Sequence, residues 1–195
     1  DIRLGDSVQE EFTVLFSDLR GFTSLSESLS AEDNFALLNR YLARMEPLIE
    51  AHGGFIDKYI GDAIMALFPG DPADAVRAAV AMQQALRDFN AERESSKDPA
   101  LFMGIGLHTG RLMLGTVGSE ARMETTVIGD TVNLASRLEG LTKHYDARTL
   151  ISSEVLDQMV RPGGVTLRAV GRVRVRGKAE AVFVHEVLDG EDPGV

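Results

Sequence analysis

The sequence predicts an α+β sandwich in which helices cover a mainly antiparallel, ferredoxin-like β-sheet. Two apolar runs of strand length between residues 53 and 68 flank Gly61-Asp62, a pattern typical of a β-hairpin with a two-residue turn. Helical stripes of apolar residues precede and follow this hairpin, and short apolar runs occupy the last third of the chain. The order β-α-α-β-β-α-β, followed by further strands, is typical of this fold class.

The remaining elements follow from hydrophobic periodicity. A buried strand over 12–17 leads into a short helix that Thr23 or Ser24 caps. A helix over 32–50 and a second helix from Pro72 should each bury one face. The stripe of the first helix comprises Phe35, Leu38, Leu42, Met45 and Ile49. Later strands are expected over 101–108, 111–117, 124–128, 149–152, 165–170, 172–176 and 181–187, with helices over 130–145, capped by Asp130, and 153–160.

The composition is that of one folded domain. The chain has 195 residues, of which 44% are hydrophobic and 26% charged, which suffices for a sizeable core. We assign residues 1–11 to a linker or coupling segment, 12–188 to the folded domain and 189–195 to a tail. Because the chain opens without an initiator Met, we expect a module of a longer protein.

Charge and cysteine content argue against several kinds of protein. A formal net charge of −10 disfavours a nucleic-acid partner, because binding to a phosphate backbone needs clustered Lys and Arg. The absence of cysteine rules out disulfides and zinc–thiolate sites. The longest apolar run, residues 63–68, is too short to cross a bilayer. We expect a cytoplasmic domain, which leaves a membrane anchor elsewhere in the full-length protein open.

Two aspartates stand where predicted strands end. Asp18 follows the strand over 12–17, and Asp62 lies at the hairpin tip. Each alone is a common turn residue. Together they offer the carboxylates that Mg²⁺ needs when it binds a nucleoside triphosphate.

Five further polar residues are candidates for binding a ligand. Asn133 and Arg137 are four apart on one helix face, which can present an amide to a hydroxyl and a guanidinium to phosphate, or can simply be solvated. Lys58 lies inside the hydrophobic hairpin and either serves a ligand or extends its ammonium to water. Arg176 and Lys178 flank a turn glycine, where they bind phosphate or keep a sheet edge soluble.

Three ordered segments resemble the catalytic domain of the class III nucleotidyl cyclases. They are Phe16-Ser-Asp-Leu-Arg-Gly-Phe-Thr23, Asp57-Lys-Tyr-Ile-Gly-Asp-Ala63 and Val127-Ile-Gly-Asp-Thr-Val-Asn-Leu-Ala-Ser-Arg137. The likeness extends from about residue 10 to 188. It implies a lyase that makes a cyclic nucleotide and pyrophosphate from a nucleoside triphosphate.

The resemblance assigns roles to the metal- and phosphate-binding residues. Two Mg²⁺ or Mn²⁺ ions per site would bind Asp18 and Asp62, with the Leu19 carbonyl on the second ion. The turn formed by Gly21, Phe22 and Thr23 would meet the triphosphate. Arg137 would stabilise the transferring phosphoryl group, and Arg148 could also contact a phosphate. Arg176 stands where the family usually has Lys, and Lys178 could share that role.

The resemblance also assigns the purine and ribose contacts. Asn133 would orient the ribose, and Lys58 with Thr126 would read the purine. Adenylyl cyclases carry Lys with Asp or Thr, whereas guanylyl cyclases tend to carry Glu and Cys, so this pair predicts ATP as substrate. The threonine variant is similar to a subgroup that includes bicarbonate-responsive enzymes.

The family architecture implies a symmetric homodimer with two shared active sites and an N-terminal regulatory domain in the full-length protein. Alternatives are a guanylyl or mixed-specificity cyclase, and a non-catalytic nucleotide-binding or dimerisation module. A diguanylate-type enzyme would share the metal chemistry, but its Gly-Gly-Asp/Glu-Glu-Phe signature is absent from the sequence.

Overall fold

The computed structural model describes residues 7–119, 122–160, 164–174 and 181–189, without the side chains of residues 117–119 and 122–125. Within this part the strands form one sheet in the order β2-β3-β1-β4-β6-β8-β7, and β5 pairs with β4. The strands are β1 (Ser7–Leu19), β2 (Phe55–Ile60), β3 (Ala63–Phe68), β4 (Met103–Ser119), β5 (Arg122–Ile128), β6 (Thr149–Ser152), β7 (Leu167–Val173) and β8 (Val182–Val187). The helices are α1 (Phe22–Glu27), α2 (Ala31–Ala51), α3 (Pro72–Ser95), α4 (Asp130–His144) and α5 (Ser153–Asp157).

The predicted α+β class is confirmed. All the strand pairs are antiparallel except β4 with β6 within the described ranges. The hairpin of β2 and β3 turns at Gly61, whose φ of 64° suits a residue without a side chain. Asp62 therefore lies at the tip of the turn, as predicted.

The two faces of the sheet carry different helices. On one face, residues of α1, α2, α3 and α5 pack with Leu15 and Leu19 of β1 in the largest hydrophobic cluster. On the other face, α4 packs against Phe12 and Val14 of the same strand. Side chains alternate between the faces of a strand, so even-numbered positions near the end of β1, including Asp18, belong to the α4 face.

Helix α4 approaches the sheet closely because glycines of β4 face it. A Cβ added at Gly106 would lie 2.2 Å from the Glu139 backbone nitrogen and 2.4 Å from the Ala135 oxygen. Gly104, two residues earlier on the same face, is the ladder partner of Asp18. This packing brings the second half of α4 over the end of β1.

Several predicted boundaries were wrong. The strands expected over 101–108 and 111–117 are one strand, because Thr109 and Gly110 stay extended and pair with Thr13 and Phe12 of β1. Strands were likewise expected over 165–170 and 172–176, but the described residues form a single strand, β7, which continues through Gly171 with a register shift between Ala169 and Gly171. Ser7–Glu11 also belong to β1, so strand pairing begins within the segment assigned to the linker.

Predicted helix caps and one buried stripe also needed correction. Gly21, with φ of 68°, is the N-cap of α1, and neither Thr23 nor Ser24 caps it. Gly129 is the N-cap of α4, so Asp130 is already helical. Phe35 is 68% exposed, because the buried face of α2 follows an i, i+4 row instead. That row is Leu37, Tyr41, Met45 and Ile49.

Candidate active site

Asp18 and Asp62 lie beside each other at one end of the sheet. Ser17 pairs with Ile64 across β1 and β3, which brings the end of β1 next to the turn that carries Asp62. The backbone N–H of Leu19 donates a hydrogen bond to Asp62 Oδ2 at 3.2 Å. The structure thus brings together the two aspartates that the sequence paired, with Leu19 between them.

Burial and mutual repulsion disfavour the ionised form of the paired carboxylates. Burial, a side-chain hydrogen bond with Asp62 and the Asp62 charge together raise the pKa of Asp18 to about 6, against its ordinary value of 3.8. The Lys143 charge and the Leu19 N–H oppose this rise only in part. A group in this position favours either a proton or a cation beside it.

Divalent cations fit this donor set. Within the residues described, no group of three or more His, Cys, Asp or Glu side chains is arranged to hold a metal. Asp18 and Asp62 supply two carboxylates, and Mg²⁺ at nucleotide sites usually binds one or two carboxylates together with phosphate oxygens and water.

Glu139 is a third acid near this pair, and it was missed from the sequence. Its Oε1 would lie 2.9 Å from a Cβ at Gly104, the partner of Asp18, and it accepts no hydrogen bond within the described residues. Burial, together with the charges of Asp18 and Asp62, raises the pKa of Glu139 to about 7, although the Lys143 and Arg20 charges act against this rise. The spacing Gly104-x-Gly106, which marks where a helix approaches a strand, was the signal that could have located it.

A shallow cavity adjoins Asp62. Its volume is about 260 Å³, and its lining includes Phe22, Thr23, Gly61 and Asp62. Phe22 is buried and Thr23 exposed, directly after the left-handed Gly21. The turn predicted to meet the triphosphate therefore opens onto the same cavity as one of the aspartates.

Asn133 and Arg137 lie one turn apart on α4. Asn133 is exposed and Arg137 is half-buried. Arg137 Nη1 is inaccessible to solvent and has no hydrogen-bond partner in the described part of the chain. Because a buried guanidinium N–H without an acceptor is unfavourable, this group is suited to an anionic ligand.

Lys58 and Thr126 lie on different hairpins that share one apolar cluster. Lys58 pairs with Met65 in β3, and Thr126 pairs with Gly115 in β4. Met65 belongs to the cluster against which Val127 and Val132 pack. The neighbours of Lys58, Thr126 and Asn133 thus meet around one set of side chains.

Arg148, another predicted phosphate contact, lines a different cavity. The Arg148 guanidinium is 5.5 Å from the centroid of the Phe102 ring and lines a cavity of about 560 Å³ with residues of α3, among them Arg87 and Asn90. Its role in phosphate binding remains a prediction. Arg176 and Lys178 lie outside the described residues.

The chain matches a family model over residues 6–186, described as the adenylate and guanylate cyclase catalytic domain. An adenylate cyclase of Anabaena cylindrica is 47% identical over 193 residues, or 96% of this chain. Among solved structures, the adenylyl cyclase CyaB from P. aeruginosa is 32% identical with a TM-score of 0.83, covering 97% of this chain and 99% of that one. The guanylyl cyclase Cya2 is 36% identical with a TM-score of 0.80, covering 98% of both chains.

The fold and these matches define a nucleotide cyclase domain. The chain belongs to the class III adenylate and guanylate cyclase family, as its motifs predicted. It spans 38%, 9% and 28% of the length of the first three curated relatives that it matches. None of the helices in the described ranges is long and apolar enough to cross a membrane.

Proposed function

We propose that the chain is an adenylate cyclase domain that converts ATP to 3′,5′-cyclic AMP and pyrophosphate. The ribose 3′-oxygen forms a bond to the α-phosphorus as the bond to the pyrophosphate oxygen breaks, and the hydroxyl proton is lost. The observation that carries this proposal is the pairing of Asp18 with Asp62 beside the cavity at Gly61 and Thr23.

Asp18 and Asp62, with the Leu19 carbonyl, would hold two Mg²⁺ or Mn²⁺ ions. Bound divalent cations supply charge neutralisation on the phosphates and make the 3′-hydroxyl more acidic. Asn133 would orient the ribose, and the half-buried Arg137 would turn its guanidinium toward the phosphoryl oxygens, where charge develops. Thr23 and the turn that follows Gly21 would contact the terminal phosphates.

The specificity for ATP is proposed from Lys58 and Thr126. A lysine ammonium donates to the adenine ring nitrogen, and a threonine hydroxyl accepts from the exocyclic amine. GTP is the second candidate substrate, because the guanylyl cyclase Cya2 is 36% identical to this chain. Guanine carries a hydrogen on the corresponding ring nitrogen and an oxygen in place of the amine.

We further propose that the active site forms between two copies of the chain. One copy would supply Asp18 and Asp62, and the other Lys58, Thr126, Asn133 and Arg137. Exposed apolar side chains on the β2–β3 and β4–β5 hairpins support an interface there, since such patches on a monomer are uncommon. They are Tyr59 and Ile60 on one hairpin and Met113 and Ile128 on the other, with exposed fractions between 43% and 61%. A regulatory domain N-terminal to this chain belongs to the same proposal.

The first test is product formation by the purified chain. We expect cyclic AMP from ATP with Mg²⁺ or Mn²⁺, a lower kcat/KM with GTP, and no product after chelation. Asp62→Asn is the matched inactive control, because it keeps the side-chain shape and removes the charge. Cyclic GTP as the main product would overturn the specificity, and no product from either nucleotide would overturn the function.

A further inference from the structure

Asp57, the residue before Lys58, has a buried side chain in an otherwise apolar hairpin. Only 7% of that side chain is exposed, against 41% for Lys58. Its Oδ2 lies 3.2 Å from Lys58 Nζ and accepts no aligned hydrogen bond in the described part of the chain. A buried carboxylate requires a compensating charge, and here Lys58 supplies it.

This contact depends on an irregularity in β2. Consecutive side chains of a regular strand point to opposite faces of the sheet, so Asp57 and Lys58 would normally diverge. The ladder shifts register between Ile56 and Lys58, which face the consecutive residues Ala66 and Met65. Asp57 is therefore the extra residue of a β-bulge, a feature that redirects side chains beside functional sites.

We propose that Asp57 is a positioning residue that determines purine specificity by fixing the Lys58 ammonium. This inference rests on the proposed function, in which Lys58 reads the purine. One face of the ammonium meets the Asp57 carboxylate, which leaves its remaining protons directed at the ligand. Thr126 is uncharged and cannot form an ion pair with Lys58, whereas Asp57 can.

The chemistry predicts which substrate gains when Asp57 is lost. A fixed ammonium donates to the unprotonated ring nitrogen of adenine and opposes the ring N–H of guanine. A lysine released from Asp57 can swing toward the guanine oxygen, which is also an acceptor. Removing the Asp57 charge should therefore weaken ATP use and favour GTP by comparison.

The experiment measures kcat/KM for ATP and GTP in the wild-type chain and in Asp57→Asn. We expect the ATP-to-GTP ratio to fall about tenfold, the size expected when a charged hydrogen bond is weakened. Most of the change should appear in the KM for ATP. The matched control is Asp74→Asn, which removes the carboxylate partner of Arg77 on the surface of α3 and should leave the ratio unchanged.

A second pair of variants tests whether Asp57 acts through Lys58. Adding Asp57→Asn to a Lys58→Met chain should leave the nucleotide ratio where Lys58→Met alone puts it. An equal drop in both backgrounds would overturn the proposal, as would an unchanged ratio in Asp57→Asn. If Asp57→Asn fails to fold, Asp57→Glu keeps the charge and displaces it, and an unaltered ratio in that variant would equally overturn the proposal.

The proposed function can fail separately from this inference. A wild-type chain that yields no cyclic nucleotide overturns the cyclase activity. Competition of ATP and GTP for a bound fluorescent ATP analogue then reports base selection without turnover. An affinity ratio unchanged by Asp57→Asn in that assay would overturn the role of Asp57.

Discussion

At the scale of single residues, the acids of the candidate site differ from ordinary surface carboxylates because they are half-buried next to each other. The Lys143 charge lowers the pKa of both Asp18 and Glu139 and so offsets part of the repulsion within this group of acids. Such clusters are retained where a cation or substrate compensates the charge. Binding of a divalent cation should therefore stabilise the domain as well as activate it.

The raised pKa of Asp18 predicts a pH-dependent stability. Its pKa of about 6 lies above the ordinary value of 3.8, so between these pH values the folded state holds a proton that the unfolded chain releases. Stability in the presence of a chelator should then fall as pH rises from about 4 through 6. Asp18→Asn stays neutral and should remove that loss, which amounts to about 1 kcal/mol after allowance for solvent screening, or a Tm about 2–4 °C higher at pH 7.

Thermal unfolding at pH 4 and pH 7 measures this effect. The Tm advantage of Asp18→Asn should be present at pH 7 and absent at pH 4, whereas its cyclase activity should fall at least 100-fold. A Tm difference that does not vary with pH would contradict the assignment. Asp74→Asn, which alters a half-buried carboxylate far from the aspartate pair along the chain, controls for the amide substitution.

At the scale of elements, α4 lies over the glycines of β4 and so connects its own polar residues with the aspartate pair at the end of β1. The same helix carries Asn133 and Arg137 on its first turns and Glu139 above the partner of Asp18. Arg20, the residue after β1, holds the C-terminal end of α4 and the loop that follows, because its side chain donates hydrogen bonds to the carbonyls of Thr142, at 3.3 Å, and Ala147. A small displacement of α4 should therefore disturb catalysis.

A pair of glycine substitutions tests the close approach. Gly106→Ala places a methyl group against the α4 backbone and should cost about 1–3 kcal/mol of unfolding free energy, with reduced activity. Gly140→Ala lies within α4 and meets nothing within 4 Å, so it should stabilise the domain by about 0.5–1 kcal/mol. Chemical denaturation measures both, and equal effects of the two substitutions would rule out the packing argument.

Element type was largely predictable from the sequence, and element boundaries were less so. Alternating apolar runs located the β2–β3 hairpin and placed Asp62 at its tip. The continuous β4 was missed because Thr109-Gly110 has the composition of a turn, and only pairing with the long β1 keeps it extended. Phe35 was assigned to the core because its hydrophobicity fits a helical stripe, whereas tertiary packing selects the row that ends at Ile49.

The candidate site was predicted for residues that interrupt apolar segments or belong to the family motifs. Glu139 and Asp57 were not predicted as site residues, although Asp57 begins the second family motif, because tertiary packing sets their surroundings. Glu139 is near Asp18 only through the Gly104 packing, and Asp57 is buried only through the bulge in β2. Neither contact follows from local spacing.

At the scale of the whole molecule, the proposed dimer predicts complementation. Asp18→Ala and Arg137→Ala should each be inactive alone, and a mixture should regain roughly a quarter of the wild-type activity, because half of the dimers would be mixed and carry one intact site. The measurement is cyclic AMP formation after the two chains are mixed and allowed to exchange.

A double variant provides the control for this mixture. Asp18→Ala/Arg137→Ala combined with Asp18→Ala has no complete site in any pairing and should stay inactive. Activity in that control, or none in the original mixture, would exclude a site shared between copies.

The unbroken ladder between β1 and β4 has a mechanical consequence. Over 13 residues, or about 40 Å, β1 runs as one ribbon from Ser7 to Leu19, hydrogen-bonded to β4 from Gly115 to Met103. A displacement or rotation applied at Ser7 would be transmitted along this stiff pair of strands, which ends one residue past Asp18. Force applied at Ser7 would therefore reach Asp18 through a continuous hydrogen-bonded ribbon, with no loop or turn in between.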